Sequence, residues 1–403
     1  MSESNPPKET LPPKEEPKQN PSKRKKMILW TTIVLLLIAV AVFLYWLFVW
    51  RFEEYTDDAY VGGNRVELTP QVPGIVTAIH FDNTDLVKEG DLLVEIDQTD
   101  YELAFESAKN QLAETVRDVV QLFLKVEELE AQLEVKEAEL IKSQQDYQNR
   151  IELVSIGAVS KEEFEHIEAA LKSAESSTTE TFRSLQSAYA QVEGTTIETH
   201  PMVKKQIDQV KDAWVNLSRC QLISPVTGYI AQRTVQLGEW VSKAEPLLSI
   251  VPVNELWVDA NFKEIQLSKM RIGQPALVRS DIYGRSVHYK AKVVGINPGT
   301  GNVFSALPPQ NATGNWIKIV QRVPVRISLS ADDLKSHPLW LGLSMEVTVD
   351  IHDTSGPMLA KKEITKPRYE TAVYERQEEG VEGIIHEVIE MNKGCYGSCR
   401  RGA

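Results

Sequence analysis

A chain of 403 residues, 42% hydrophobic and 25% charged, is long enough for two or three cores and has the balance of a folded protein. Its net charge of −13, with no basic stripe beyond the first 30 residues, argues against a nucleic-acid partner. The cysteines are too few for a disulfide scaffold: Cys220 stands alone, and Cys395 and Cys399 have no histidine cluster to complete a zinc site.

Residues 1–26 are rich in Pro, Lys and Glu with almost nothing apolar to bury, which predicts a disordered tail, cytoplasmic by the charge argument below. Residues 27–50 then run for 24 positions without a charge. As a helix they span about 36 Å, enough for a hydrocarbon core of about 30 Å. Trp30 at one end and Tyr45, Trp46 and Trp50 at the other suit the two interfaces. A cleaved signal peptide would have a shorter apolar region, and Ala39-Val40-Ala41 lies mid-span, so an uncleaved transmembrane helix is expected. Lys14, Lys18, Lys23, Arg24, Lys25 and Lys26 precede the span, whereas only Arg51 and Arg65 follow it closely. The N-terminus is therefore expected in the cytoplasm and the bulk of the chain in the periplasm, crossing the inner membrane once.

Residues 68–96 and 222–250 repeat each other without a gap. With Gly74 aligned on Gly228, Val76 falls on Ile230, Val87 on Val241, Leu93 on Leu247 and Ile96 on Ile250. Each copy holds a Pro-then-Gly turn and short apolar runs, too little to stand alone. The copies are expected to pack together as one β sandwich, residues 67–98 with 220–250, with Gly74 and Gly228 as its turn glycines.

Between the copies, residues 99–219 read as helix. Leu112, Val119, Val126, Leu133 and Leu140, continued by Tyr147 and Val154, recur every seventh position. After a break at Ile156-Gly157-Ala158-Val159, Ser160 and Glu163 form a capping box, and Phe164, Ile167 and Leu171 open a second seam. Two narrow seams joined by a short turn predict an antiparallel coiled-coil hairpin, with its second arm interrupted near residues 194–201. A bundle would have wider stripes and a third long helix to pack against, and none is evident.

Residues 251–352, with 51–66, read as a strand-built barrel. Alternating runs at 287–296 and 316–329 flank a Gly- and Pro-rich loop at 297–315. The tail, 353–403, is charged and weakly patterned, and no structure is assigned to it.

The nesting of anchor, strands, half-sandwich, helical hairpin, half-sandwich and strands resembles the membrane fusion proteins, or HlyD-type periplasmic adaptors. Thr56-Asp57-Asp58-Ala59-Tyr60-Val61 looks like their post-anchor segment, and the repeat looks like their split lipoyl-like domain. The stretches at 256–264, which hold Trp257, Asp259, Asn261 and Phe262, and at 270–278, 281–284 and 309–327 are similar to the EmrA subfamily of multidrug-efflux adaptors. The resemblance implies a mixed α and β, multidomain fold. It also implies a homo-oligomer that links an inner-membrane transporter of the major facilitator superfamily, driven by protons, to a TolC-like outer-membrane channel. Hydrophobic toxic compounds would be exported, with direct binding of such drugs to the adaptor left open. An adaptor for one-step protein secretion, driven by an ABC ATPase, is the alternative. In related adaptors the hairpin tip carries Arg, then Leu four later, then Ser seven after that. Leu153 and Ser160 match, but Asn149 holds the Arg position with Arg150 one place on, about 100° round a helix. Arg150, Leu153, Gly157 and Ser160 are the residues expected at the channel contact.

No catalytic role is expected. There is no G-x-x-x-x-G-K-[ST] loop and no His-Glu-x-x-His, and the histidines are scattered. Carboxylates such as Glu127-Glu128 fall on solvent faces of a coiled coil. The turn that carries lipoate or biotin in carrier domains is replaced by the hairpin, so no cofactor is expected. Trp257 and Phe262 could line a substrate path, with core packing the simpler role.

Overall fold

The computed structural model describes residues 21–48, 50–284, 286–304, 320–360 and 365–394. Residues 1–20, the greater part of the loop expected at 297–315, the start of the run at 316–329, and Cys395 and Cys399 lie outside the described residues.

In chain order, helix α1 (Pro21–Phe48) precedes β1 (Glu53–Gly62), β2 (Val66–Leu68), β3 (Gly74–Ile79), β4 (Leu86–Val87) and β5 (Leu92–Ile96). Helices α2 (Thr99–Ser155), α3 (Lys161–Val192) and α4 (Pro201–Ser218) follow, then β6 (Gln221–Ile223), β7 (Gly228–Arg233), β8 (Trp240–Val241) and β9 (Leu248–Val251). Strands β10 (Trp257–Lys263), β11 (Pro275–Ser280), β12 (Tyr289–Ile296), β13 (Arg322–Leu329) and β14 (Ser344–Asp350) alternate with a short helix α5 (Ala331–Ser336), and α6 (Val381–Asn392) comes last. The chain forms two compact units, divided between Gly63 and Asn64 and between Pro252 and Val253, and the segment from residue 365 onward joins the second.

In the first unit, α1 begins six residues before the apolar run and keeps its described side chains exposed, with only Leu47 partly covered. It is the one helix among the described residues that is long and apolar enough to cross a membrane. The strands close a barrel in the order β1-β10-β13-β12-β11-β14. Alternation decides which side chains fill it: Val258, Ala260 and Phe262 on β10, and Met345, Val347 and Val349 on β14, are all buried. Strand β1 carries a bulge between Thr56 and Ala59, so both ends of the strand can keep their small residues inward.

In the second unit, two four-stranded sheets, β2-β9-β7-β4 and β6-β5-β3-β8, enclose one apolar core. Each sheet draws strands from both copies of the repeat, so neither copy folds alone. The offset of 154 residues between Gly74 and Gly228 holds down to single hydrogen bonds. Asp82 N donates to Asp85 Oδ2 at 2.8 Å, and Gln236 N to Glu239 Oε2 at 2.8 Å. Thr84 N reaches Ile230 O at 2.9 Å, and Gly238 N reaches Val76 O at 2.9 Å. A two-fold therefore relates the halves.

The hairpin leaves this sandwich. Helix α2 has 57 residues, a rod of about 85 Å. Its middle packs on α3 through Val126, Leu129, Leu185 and Val192. Its base differs from a two-helix seam: Phe105, Leu112, Val116 and Val119 pack with Val203 and Val210 of α4 and Val381, Ile385 and Ile389 of α6. The tail thus supplies a third helix to the base. The signal was present, since Val381, Ile385 and Ile389 recur at four-residue spacing, but the charged residues around them blurred it.

Candidate functional site

The hairpin tip is built by a turn that reverses the chain within five residues, Ile156 to Ser160. Gly157 takes φ of +69°, a conformation that costs a side-chain-bearing residue about 1–2 kcal/mol. Gly157 N and Ala158 N bond back to Val154 O and Leu153 O at 3.0 and 2.9 Å, closing the end of α2. Ser160 then caps α3, its hydroxyl accepting from Glu163 N at 3.2 Å. Just below, the rings of Tyr147 and Phe164 stack at 5.3 Å and fasten the arms together.

Arg150 and Ser160 come together here. They share an open groove of about 370 Å³ with Glu162, Glu163, His166 and Ile167. Asp146 lies 3.6 Å from the Arg150 guanidinium, one turn below. Leu153 is exposed, and Gly157 has open space around it. The residue that sequence reasoning missed is Ile156, which is 74% exposed at the apex. Its isolation from the seven-residue pattern was the only sign.

Along the seam, Leu112, Val119 and Val126 are buried, whereas Leu133, Leu140, Phe164, Ile167 and Leu171 are half-buried. The grip between the arms is thus apolar and tight near the base and looser toward the tip. At the base, ion pairs tie α6 down: Lys211 Nζ to Glu382 at 2.7 Å and Lys393 Nζ to Glu198 at 3.1 Å. The Lys211 ammonium holds the Glu382 carboxyl below its ordinary range.

The sandwich glycines sit where the halves meet. A Cβ on Gly74 would lie 2.4 Å from Ile96 Cγ2, and one on Gly228 would lie 2.5 Å from Val251 O. Arg233, from the second copy, bonds Asp82 of the first at 2.8 Å and lowers that carboxyl below its usual range.

On the barrel, Phe262 is fully buried in the interior, so core packing is its role. Trp257, Asp259 and Asn261 alternate with it on the outer face. The Trp257 indole donates to Asp259 at 2.8 Å, and the Arg326 guanidinium lies 4.2 Å above the Trp257 ring. Asn261 Nδ2 and Arg322 both reach Asp58 in the β1 bulge, at 3.1 and 2.6 Å. This ladder of polar groups across β1, β10 and β13 locks their register. Among the described residues, no group of His, Cys, Asp and Glu side chains is arranged to hold a metal ion.

A family model described as "EMRA, alpha-helical hairpin domain" matches residues 99–220, the segment from α2 through α4. Across 94% of this chain and 97% of the relative, the chain is 43% identical to the multidrug export protein EmrA of Escherichia coli K12. It is 40% identical to the fatty acid resistance protein FarA of Neisseria gonorrhoeae over 82% of this chain and 84% of that protein. Among solved structures, a periplasmic adaptor protein EmrA aligns at 22% identity and a TM-score of 0.38, covering 74% of this chain and 99% of that one, too loose a likeness to add weight. Identity of this level over nearly the whole of both chains shows that the chain belongs to the EmrA family of membrane fusion proteins.

Proposed function

We propose that this chain is the periplasmic adaptor of a tripartite efflux pump and performs no catalysis itself. Helix α1 anchors it in the inner membrane with the N-terminus in the cytoplasm. The barrel engages a proton-driven transporter of the major facilitator superfamily, and copies assemble around the transport path. The hairpin tip, through Arg150, Leu153, Gly157 and Ser160, meets a TolC-like outer-membrane channel. The cargo is a hydrophobic toxic compound, in keeping with relatives named for multidrug export and fatty acid resistance.

The observation that carries this reading is the hairpin: a helix of 57 residues, paired along its length and inserted into a sandwich, has no use in a compact enzyme but supplies reach. Deleting the gene should sensitise the cell to hydrophobic toxic compounds, and the wild-type chain should restore tolerance. A variant with Val126→Asp and Leu185→Asp places charges in the buried seam and should open the arms. It should remain in the membrane and fail to restore tolerance. Full tolerance from that variant would show that reach is not what the hairpin provides. Loss of a secreted protein with unchanged drug tolerance would point instead to an ATP-driven secretion system. A cysteine at Leu153 should crosslink to the outer-membrane channel.

A further inference from the structure

One end of the barrel leaves several apolar side chains in the open. Strand β1 starts at this end, where Glu53 pairs with Asp350 at the close of β14. The helical turn after β10, Glu264–Lys269, folds over the same end. Its Gln266 Nε2 donates to Tyr55 O at 3.0 Å, and Lys269 Nζ lies 6.0 Å from the centre of the Phe52 ring. The chain leaving β14 stays here too, with His352 stacked on Phe52 at 4.1 Å and Ile272 N donating to Pro357 O at 3.0 Å. Glu264 N bonds Gln321 O at 3.3 Å, which brings Val320, at the entry to β13, beside the turn. Ile265, Val320, Met358 and Leu359 belong to these segments and are 78, 54, 47 and 60% exposed in that order. The value for Ile265 is the highest of any large apolar side chain among the described residues. A lone exposed Ile is ordinary, but four apolar residues from three segments at one end of a filled barrel are not.

The anchor says what covers them. The apolar run ends at Trp50 and β1 starts three residues later, a reach of at most about 11 Å even when extended. The headgroup layer on each side of a bilayer is itself about 5–8 Å deep. With α1 in the membrane, the end of the barrel that holds Glu53 is therefore kept within a few ångströms of the headgroups. The four apolar residues are also spread round the rim, since the segments that carry them adjoin β10, β13 and β14, which flank β1 in the closed barrel. A planar lipid surface meets all of them at once, whereas a partner docked on the barrel wall would not. Exposed charges at this end are mixed, Arg51, Lys263 and Lys269 against Glu53, Glu264 and Asp353. Apolar insertion, and not attraction to anionic lipid, is thus the force available.

We propose that this end of the barrel is a second membrane contact, in which Ile265, Val320, Met358 and Leu359 enter the boundary between headgroups and acyl chains in the leaflet on the barrel's side. A single span lets what it carries swivel about one point. Side chains inserted round the rim remove that freedom and hold the barrel end-on to the membrane. The proposal rests on the reading of α1 as a spanning anchor and goes beyond it, because a tether alone needs no apolar rim.

The test uses the full chain in vesicles of zwitterionic lipid, without a transporter, with Cys395→Ser and Cys399→Ser and with Cys220 left in the core. Ile265→Cys, Leu359→Cys and Trp340→Cys are made singly, and each is labelled with a fluorophore. Trp340 is the control: it is 55% exposed and lies in the turn before β14, which Gly342 N ties to Val61 O at the far end of β1 at 2.8 Å. With iodide on both sides of the membrane, the labels at Ile265 and Leu359 should lose quenching by iodide and gain quenching by lipids that carry a nitroxide near the headgroup. The label at Trp340 should do neither. Iodide quenching at both rim positions, lipid quenching at only one of them, or lipid quenching at all three would overturn the proposal. So would protection that appears only when the transporter is added, which would make this end a protein contact. Raising the salt should leave the lipid quenching in place, and its loss would mean that charge holds the contact, against the proposal. Carbonate extraction reads the anchor separately. A chain washed off the vesicles refutes the anchored reading and this proposal with it, whereas a chain that resists washing with its rim labels in water refutes this contact alone.

Discussion

Four turn positions of the sandwich show how a repeat drifts while its backbone does not. Gly90 and Gly238 hold φ of +91° and +79°; their repeat counterparts Ala244 and Thr84 hold +65° and +77°. Each left-handed position keeps its glycine in only one copy. Ala244→Gly and Thr84→Gly should therefore each stabilise the fold by about 0.5–1 kcal/mol, the relieved strain less the added freedom of the unfolded chain. Gly90→Ala and Gly238→Ala should each destabilise it by about 1 kcal/mol. Denaturant midpoints at unchanged slope are the measurement, and a loss on Ala244→Gly would contradict the strain argument. Cys220 is a second residue whose behaviour follows from its place. It is fully buried in the sandwich core, and burial, helped by Asp97 and Glu102, pushes its thiol up to about 11. In the unfolded chain the same thiol ionises near about 8.5. Between these values the folded state holds a proton that the unfolded state has lost, so the stabilising contribution is complete below about pH 8.5 and is lost as pH rises to 11. Melting temperature should fall over that window, and Cys220→Ala should flatten the fall. The thiol should also resist alkylation at pH 8 until the protein unfolds.

At the scale of elements, what was legible depended on whether a pattern reported its own partner. The gapless repeat from Gly74 to Ile96 announced its partner directly, and the capping box at Ser160 and Glu163 fixed the start of α3 at Lys161. The seam was less informative. A seven-residue recurrence says that Leu112 and Val119 face something apolar, and it does not say which helix; at the base the partners are α4 and α6, whereas Val126 meets α3. Ile156 was hard to find for the opposite reason: exposure at an apex gives it no periodic partner, and its only trace is that it stands outside the seven-residue pattern. The register of the barrel was also hidden, since Asp58 and Arg322 are far apart in sequence and meet only in the fold. The role of α6 can be tested separately from the hairpin arms. Ile385→Ala removes a side chain buried against α2 and α4 and should cost about 2–5 kcal/mol in the base. Hydrogen exchange should then quicken in α4 and α6 while α3 beyond Leu185 keeps its protection. Uniform loss of protection would mean that base and arms unfold as one cooperative unit.

At the scale of the whole molecule, α1 differs in kind from every other helix. Helices α2, α3, α4 and α6 each bury one stripe against a neighbour, whereas α1 is apolar on all sides and nearly all its described side chains are exposed. A helix of this kind commits almost none of its described side chains to a neighbouring element, and it is long and apolar enough to cross a membrane. If tethering is its whole contribution, its sequence should be replaceable. An unrelated single-span helix of the same orientation, grafted in place of residues 27–50, should leave drug tolerance near the wild-type level. A soluble exported form that begins at Glu53 should lose it, because the gain in effective concentration from sharing a membrane with the transporter can reach 10²–10⁴-fold. Overexpression of the soluble form should then recover part of the activity, as mass action requires. Loss of tolerance on grafting, with the chain still inserted, would instead assign α1 a specific face for the transporter. Trp30, Tyr45, Trp46 and Trp50, at the two ends of the apolar run, would be the first positions to restore in the graft.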